Sequence, residues 1–211
     1  AIAKDFGIRS SIGNGPAIAL GASEVNLLEL TAAYAGFLSI GKNVSPIGWM
    51  DLKIRGDKEV LMSVDRSDGT QVIDDHASAT LLYMLRNVVD NGTGVRAKIP
   101  GWDLAGKTGT SQSLKDAWFI GFNTEFVCGV WMGNDDNTSL EGVTGGGLPA
   151  ELWSEVMTEL MKGITPMALP LMTPEEFEQF AIYKDKNEER VDDDTSAQSL
   201  IRALLGTLFG N

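Results

Sequence analysis

Two residue types that build many functional sites are scarce: the 211-residue chain has one cysteine, Cys128, and one histidine, His76. A single thiol cannot close an internal disulfide, and a zinc site needs three or four nitrogen or sulfur ligands. We therefore expect no metal site and no cofactor. Cys128 lies in an apolar run, which predicts a small buried side chain. His76 follows two aspartates at a predicted helix start, which favours a solvated or capping role over membership of a Ser-His-Asp triad.

Cationic residues and long apolar runs are also in short supply. The chain has 17 lysines and arginines against 29 aspartates and glutamates, a formal net charge of -12. Nucleic-acid binding needs clustered Lys and Arg, so no nucleic-acid partner is expected. No run approaches the roughly 18 apolar residues of a membrane-spanning helix. The first residues lack a signal pattern and a starting Met. We expect a piece of a longer protein whose signal or anchor lies upstream.

What is present alternates between helical and extended patterns. Helical spacing predicts three helices, over residues 23–39 with Ser23 as cap, from Asp74 or Asp75 to Val89, and over residues 150–162. In the third helix, the residues predicted to face inward are Leu152, Trp153, Val156 and Leu160. Alternating residues predict a hairpin over 49–55 and 59–64. Three further strands, 103–111, 116–122 and 125–133, have short links and predict an antiparallel meander.

These elements indicate an α/β (α+β) fold, an antiparallel sheet flanked by helices. A compact domain is predicted over residues 1–165. Residues 166–211 form an acidic, proline-containing tail, with a charge run over 184–194 and an amphipathic pattern for one short helix over 196–209.

Residues 106–110, Gly-Lys-Thr-Gly-Thr, are the most informative run, and two interpretations compete for it. Residues 101–108 satisfy the nucleotide-binding P-loop pattern G-x-x-x-x-G-K-T. That loop requires a buried strand before it and a helix N-terminus directly after it. Neither flank has the composition for those elements, which disfavours the P-loop.

The second interpretation is the Lys-Thr-Gly strand of serine acyl-transferring enzymes. The Lys107 ammonium and the hydroxyls of Thr108 and Thr110 can bind the terminal carboxylate of a substrate. Gly109 leaves room for a substrate backbone alongside the strand. The Thr110 N–H can point at the developing oxyanion. Threonines at alternate positions favour a strand over a helix.

An ordered set of motifs surrounds this run. The set comprises residues 91–94 (Asn-Gly-Thr-Gly), 105–110, 116–121 (Asp-Ala-Trp-Phe-Ile-Gly), 130–135 (Val-Trp-Met-Gly-Asn-Asp), 144–146 and the helix around 28–38. Together they closely resemble the class A penicillin-binding proteins over roughly residues 20–160. The resemblance implies the transpeptidase fold shared with serine β-lactamases, of which this chain would supply the last three strands and flanking helices. It also implies a D,D-transpeptidase that cross-links peptidoglycan stem peptides and is acylated by β-lactams.

The family's serine nucleophile motif, S-x-x-K, is expected at the start of a long helix, followed by S-x-N. Residues 39–42, Ser-Ile-Gly-Lys, match the first motif but lie at the end of a predicted helix beside Gly41. No S-x-N triplet occurs, and residues 11–14 are one residue too long. We therefore expect no nucleophile in this chain, an inactive fragment, and both missing motifs before residue 1.

The resemblance carries further expectations. The parent would lie in the periplasm or on the outer face of the cytoplasmic membrane, anchored by a segment upstream of this chain. Without the family's first two strands, the predicted strand over residues 126–132 would keep an open edge, which predicts a homodimer or strand swap through Phe126 to Met132. Three alternatives remain: a P-loop protein, a non-catalytic interaction module, and a serine β-lactamase or penicillin-sensor relative.

The remaining conspicuous residues are predicted to be structural. Trp118, Phe119 and Trp131 are expected to pack in the core, and Asp135-Asp136 to form a solvated turn. Gly145 to Gly147 are expected to serve loop conformation, because no positive charge nearby would suit a phosphate.

Overall fold

The computed structural model describes residues 2–13, 15–56, 58–64 and 69–171. The main sheet has three antiparallel strands, β3 to β5, with helices on both faces, and a separate hairpin is formed by β1 and β2. The labelled elements are α1 (Ile2–Asp5), α2 (Leu27–Leu38), β1 (Asp51–Lys53), β2 (Val60–Ser63), α3 (Asp75–Asp90), β3 (Ala105–Thr110), β4 (Asp116–Phe122), β5 (Val127–Gly133) and α4 (Leu148–Leu160). The predicted fold class is confirmed. Short 3-10 helices over Pro16–Leu20 and Val95–Ala97, and helix α1, were not predicted.

Helix α2 begins later than predicted because Asn26, not Ser23, is its cap. The Asn26 side-chain oxygen accepts from the backbone N–H groups of Leu28 at 2.8 Å and Glu29 at 3.4 Å, satisfying donors that the first helical turn leaves unpaired. The helix ends where Ile40 and Gly41 adopt left-handed backbone conformations, with φ of 55° and 79°.

Helix α3 begins as the sequence predicts. The carboxylate of Asp74 accepts from the backbone N–H of Ala77 at 2.8 Å, and the helix buries Leu82, Leu85 and Val89.

The meander is confirmed, with β4 in the centre. Thr108 lies opposite Phe119, and Phe119 lies opposite Val130. Side chains alternate between the two faces along a strand, and residues directly opposite each other on paired strands share a face. These three therefore lie on one face of the sheet. Among the described residues, β5 pairs with β4 alone, so its outer edge is open.

Helix α4 covers that face of the sheet. The indole N–H of Trp153 donates to the carbonyl oxygens of Gly121 at 3.2 Å and Cys128 at 3.1 Å. Its ring meets Phe119 edge-on at a centroid distance of 5.3 Å. On the opposite face, α2 lies directly against β5. The contact is so close that a Cβ at Gly129 would come within 2.3 Å of the Thr31 hydroxyl.

Two burial predictions are wrong. In α4, Trp153 and Met157 are buried, but Leu152, Val156 and Leu160 are 42%, 37% and 48% exposed. The large Trp153 ring takes the sheet-facing position and turns the neighbouring aliphatic row outward. Trp131 is 41% exposed, and its indole N–H donates to the Asp116 carboxylate at 3.1 Å.

The hairpin is confirmed, with Leu52 opposite Met62, but all its strand residues are exposed.

Packing also continues past the predicted domain boundary at residue 165. Leu169 is buried, and its N–H donates to Asp103 at 2.9 Å. The boundary itself stays a prediction. The predicted charge run and terminal helix lie outside the described residues. In the portions that the structure covers, no helix is long and apolar enough to cross a membrane.

Candidate functional site

The Lys-Thr-Gly run lies within strand β3, at the border of the sheet. In the described ranges β3 pairs only with β4. The Ser111 N–H donates to the Asp116 carbonyl at 3.0 Å, and hydrogen-bonding direction alternates along an antiparallel strand. The N–H and C=O groups of Thr108 and Thr110 therefore point away from β4. We call this side the open edge of β3.

Lys107 places its ammonium at the open edge. Its Nζ donates to the Thr108 carbonyl oxygen at 2.7 Å, a carbonyl that points away from β4. The side chain is exposed, so the ammonium is accessible to a ligand lying along the strand.

The two threonine hydroxyls share the α4 face of β3, where each meets a loop. The Thr108 hydroxyl lies 2.7 Å from the Thr93 hydroxyl. The Thr110 hydroxyl accepts from the backbone N–H of Gly145 at 3.0 Å. Each threonine oxygen thus has one partner within the chain, and both threonine residues are at least partly exposed.

The glycines around β3 permit close backbone approach. A Cβ at Gly145 would come within 2.3 Å of the Trp118 carbonyl oxygen and 2.4 Å of that of Gly109. A Cβ at Gly109 would lie 3.2 Å from the Trp118 Cβ, on the other face. The loop before α4 therefore rests directly on the backbone of the Lys-Thr-Gly strand.

The P-loop interpretation is wrong for this chain. Gly106, Lys107 and Thr108 all lie inside a β-strand, whereas a P-loop needs its lysine at the N-terminus of a helix. Loop amides and a helix dipole are both missing from this position, so β3 has no phosphate cradle.

The match at residues 39–42 has the wrong geometry for a nucleophile. Ser39 is the C-cap of α2, and the left-handed conformations of Ile40 and Gly41 follow it. Lys42 is therefore not one helical turn after Ser39 on a helix. Its backbone forms an isolated antiparallel bridge with Gln71.

The other candidates take structural positions. His76 is exposed in the first turn of α3. Asp136 accepts from the Thr138 hydroxyl and N–H in the predicted turn, and the hydroxyl contact is the main cause of its lowered pKa. Burial raises the pKa of the Cys128 thiol, which disfavours the reactive thiolate. No group of three metal-ligating side chains occurs among the residues described.

Two features of the site were missed at the level of the sequence. Thr93 and Gly145 belong to motifs that contributed to the resemblance, but nothing in the sequence predicted their contacts with Thr108 and Thr110. The one available signal was that both loops belong to the same ordered set of motifs as the Lys-Thr-Gly run.

Comparison with solved structures supports the fold. The chain superposes on the PonA1 protein from Mycobacterium tuberculosis in complex with penicillin V with a TM-score of 0.70, at 24% identity, over 81% of this chain and 51% of that one. Penicillin-binding protein 1A from Haemophilus influenzae gives a TM-score of 0.69 at 22% identity, over 81% of this chain and 31% of that one. At these identities the likeness is one of fold.

Sequence comparison establishes the family. Penicillin-binding protein 1A of Aquifex aeolicus is 35% identical over 66% of this chain and 19% of its own length. The protein of the same name from Neisseria meningitidis is 34% identical over 75% of this chain and 21% of its own length. The chain thus spans about a fifth of these relatives. The family model for the penicillin binding protein transpeptidase domain matches residues 6–158. The predicted resemblance is confirmed, and the chain belongs to the penicillin-binding protein transpeptidase family.

Proposed function

We propose that this chain supplies the substrate-aligning strand of a peptidoglycan D,D-transpeptidase, an enzyme that cross-links stem peptides through a serine acyl-enzyme and is acylated by β-lactams. One observation carries the proposal. The Lys-Thr-Gly run lies on an open sheet edge, with the Lys107 ammonium beside an outward-pointing carbonyl at 2.7 Å. Membership of the transpeptidase family supports it.

Each residue of the run has a role that follows from its chemistry. Lys107 supplies positive charge at the catalytic centre, and the Thr108 and Thr110 hydroxyls donate to the terminal carboxylate of the stem peptide or penicillin. Hydrogen bonds to ionised groups are about twice as strong as neutral ones. The outward N–H of Thr110 would stabilise the oxyanion as the acyl bond forms. Gly109 lets the substrate backbone approach.

The nucleophile is proposed to lie outside this chain. The 211 residues alone should therefore not react with penicillin, whereas the whole protein should. We also propose that the whole protein works outside the cytoplasmic membrane, held by an anchor in its N-terminal part, because its peptidoglycan substrate lies there.

Covalent labelling with a fluorescent penicillin tests the proposal. The whole protein should give a fluorescent band that survives denaturation, and Lys107→Ala should slow labelling by about 100-fold, as expected for loss of a group that stabilises the transition state electrostatically. Lys162→Ala is the matched control, since that lysine lies beyond α4 and contacts Glu159. Undiminished labelling of the Lys107 variant would contradict the assigned role.

The same assay separates the alternatives. A non-catalytic module would leave the whole protein unlabelled. A serine β-lactamase relative would release the label within seconds to minutes, whereas a transpeptidase is expected to keep it.

We further propose that the isolated chain self-associates through Phe126 to Met132. The outer edge of β5 is open in the described part of the chain, and Cys128, Gly129 and Trp131 are all at least partly exposed. Exposed apolar edges template pairing with another strand. Light scattering across a concentration series should show dimers, and Trp131→Lys should reduce them. A monomer at the highest concentration would end this proposal.

A further inference from the structure

A pair of threonine hydroxyls joins β3 to the turn that follows α3. Thr93 Oγ1 lies 2.7 Å from Thr108 Oγ1, and either oxygen can donate. Thr93 is exposed and Thr108 half-buried, so the pair borders solvent on the side of the strand that presents its hydroxyls.

The turn that carries Thr93 is held from two sides. The Asn91 and Gly94 N–H groups donate to the carbonyl oxygens of Asn87 and Val88, both at 2.9 Å, which fixes the turn to the end of α3. From the other side, Gly146 packs so closely that a Cβ there would come within 2.2 Å of the Thr93 carbonyl oxygen. Thr93 is thus placed by backbone contacts that do not involve its own hydroxyl.

The number of protons on the two hydroxyls decides which one donates to the other when a substrate binds. A threonine hydroxyl has one proton to donate and two lone pairs. If Thr108 gives its proton to a substrate carboxylate, it cannot also give it to Thr93. A carboxylate is the stronger acceptor, so substrate binding should turn the pair until Thr93 donates and Thr108 accepts. A hydrogen bond received from Thr93 then polarises the Thr108 O–H toward the carboxylate.

Thr110 has a corresponding partner. The Gly145 N–H donates to its oxygen at 3.0 Å, and an amide can only donate. The proton of Thr110 is therefore already free for a ligand. Thr93 and Gly145 stand in the same relation to the two hydroxyls, and Gly146 joins their loops.

We propose that Thr93 is a positioning residue of the transpeptidase: its O–H donates to Thr108 and aims the Thr108 proton at the substrate's carboxylate. The inference rests on the proposed function. It goes further by assigning a carboxylate-selective role to a side chain outside the Lys-Thr-Gly strand.

The test compares acylation of the whole protein by a penicillin and by its methyl ester, which lacks the anionic carboxylate. Thr93→Val keeps the shape and removes the O–H. It should slow acylation by the penicillin about three- to tenfold, the worth of one hydrogen bond, and leave the rate with the ester unchanged. The loss should appear in the apparent binding constant and not in the limiting acylation rate.

Two further variants make the result specific. Thr93→Ser restores the hydroxyl and should bring the rate with penicillin back to within about twofold, as expected when one hydrogen bond is regained. Thr158→Val removes an exposed hydroxyl that bonds only within α4 and should change neither rate. Equal losses with penicillin and ester would show a merely structural role and overturn the inference.

The outcomes also separate the inference from the proposed function. If the wild-type protein is acylated and Thr93→Val matches it with both compounds, only the inference fails. If the wild-type protein is not acylated at all, the proposed function fails and the inference falls with it.

Discussion

The described residues form two antiparallel units, and the two lie in opposite environments. In the β3–β4–β5 meander, Phe119 and Phe122 are fully buried between layers of helices. In the β1–β2 hairpin, Leu52 and Met62 lie opposite each other and are 50% and 57% exposed. Both units consist of extended strands, but only the meander is covered. What covers the strand depends on other parts of the chain.

The difference matters for function because the candidate site belongs to the covered unit. An isolated two-stranded hairpin is marginally stable in water. The meander instead gains support on both faces, and this support fixes the direction of the open edge of β3. The proposed role, holding a carboxylate in one orientation, needs that rigid backing.

The largest loss of stability is expected when the helix that covers the meander loses its main contact with the sheet. Trp153→Ala should lower the free energy of unfolding by about 3–5 kcal/mol, the usual cost of truncating a buried aromatic side chain. The adjacent Leu152→Ala should cost within about 0.5 kcal/mol, because an exposed side chain loses little. Chemical denaturation of both variants checks this. Similar costs would mean that α4 does not cover the sheet in the way described.

A smaller effect is expected at the loop that rests on β3. Gly145→Ala forces a methyl group to within 2.3 Å of the Trp118 carbonyl oxygen, so the loop must lift. We expect a loss of about 1–3 kcal/mol, as for other overpacked positions. Gly48→Ala is the control, since a Cβ there meets nothing within 4 Å. Equal melting temperatures of the two variants would show that the loop does not press on the strand.

Replacement of an apolar side chain should destabilise the protein less in the hairpin than in the meander. Met62→Ser should change the free energy of unfolding by about 0.5 kcal/mol or less, as is usual for exposed positions, and should raise solubility by removing exposed apolar surface. A loss above about 1.5 kcal/mol, of the size seen for core truncations, would show that this face of the hairpin is buried in solution and would erase the contrast between the two units.

The smallest effect on stability is expected where residues 9–10 are attached to α2 by polar contacts. Glu29 accepts from the Ser10 hydroxyl at 2.7 Å and from the Ser10 and Arg9 N–H groups, and these contacts, the Ser10 hydroxyl first, lower its pKa. Because the folded pKa is depressed, the stabilisation is present above the ordinary carboxyl pKa and is lost as pH falls through the folded pKa. The Ser10 amide resonance should shift over that acid range, and Glu29→Gln should abolish the titration. A Ser10 resonance that still titrates in the variant would identify another group as the cause.

Local chemistry made part of this fold predictable. Asp74 directly precedes its helix, and threonines at alternate positions favour the strand that carries Lys107. The cap of α2 was missed because Ser23 and Asn26 are both good capping residues, and only the geometry of the first turn separates them. The orientation of α4 was missed because helical spacing fits several faces, and packing of the Trp153 ring against Phe119 selected one.

The candidate site was predictable only in part. Lys107, Thr108 and Thr110 are adjacent in sequence, so their motif is visible directly. Thr93 and Gly145 reach the strand from positions 15 and 35 residues away. Contacts over such separations depend on how loops close over the sheet, which no local pattern specifies.

The central claim is that the open edge of β3 binds the acyl-transfer substrate. A crystal structure of the whole protein acylated by penicillin tests it most directly. We predict the ligand's carboxylate within hydrogen-bonding distance of the Thr108 and Thr110 hydroxyls, with its carbonyl oxygen against the Thr110 N–H. A ligand bound elsewhere, with another strand of the protein paired along β3, would contradict the account.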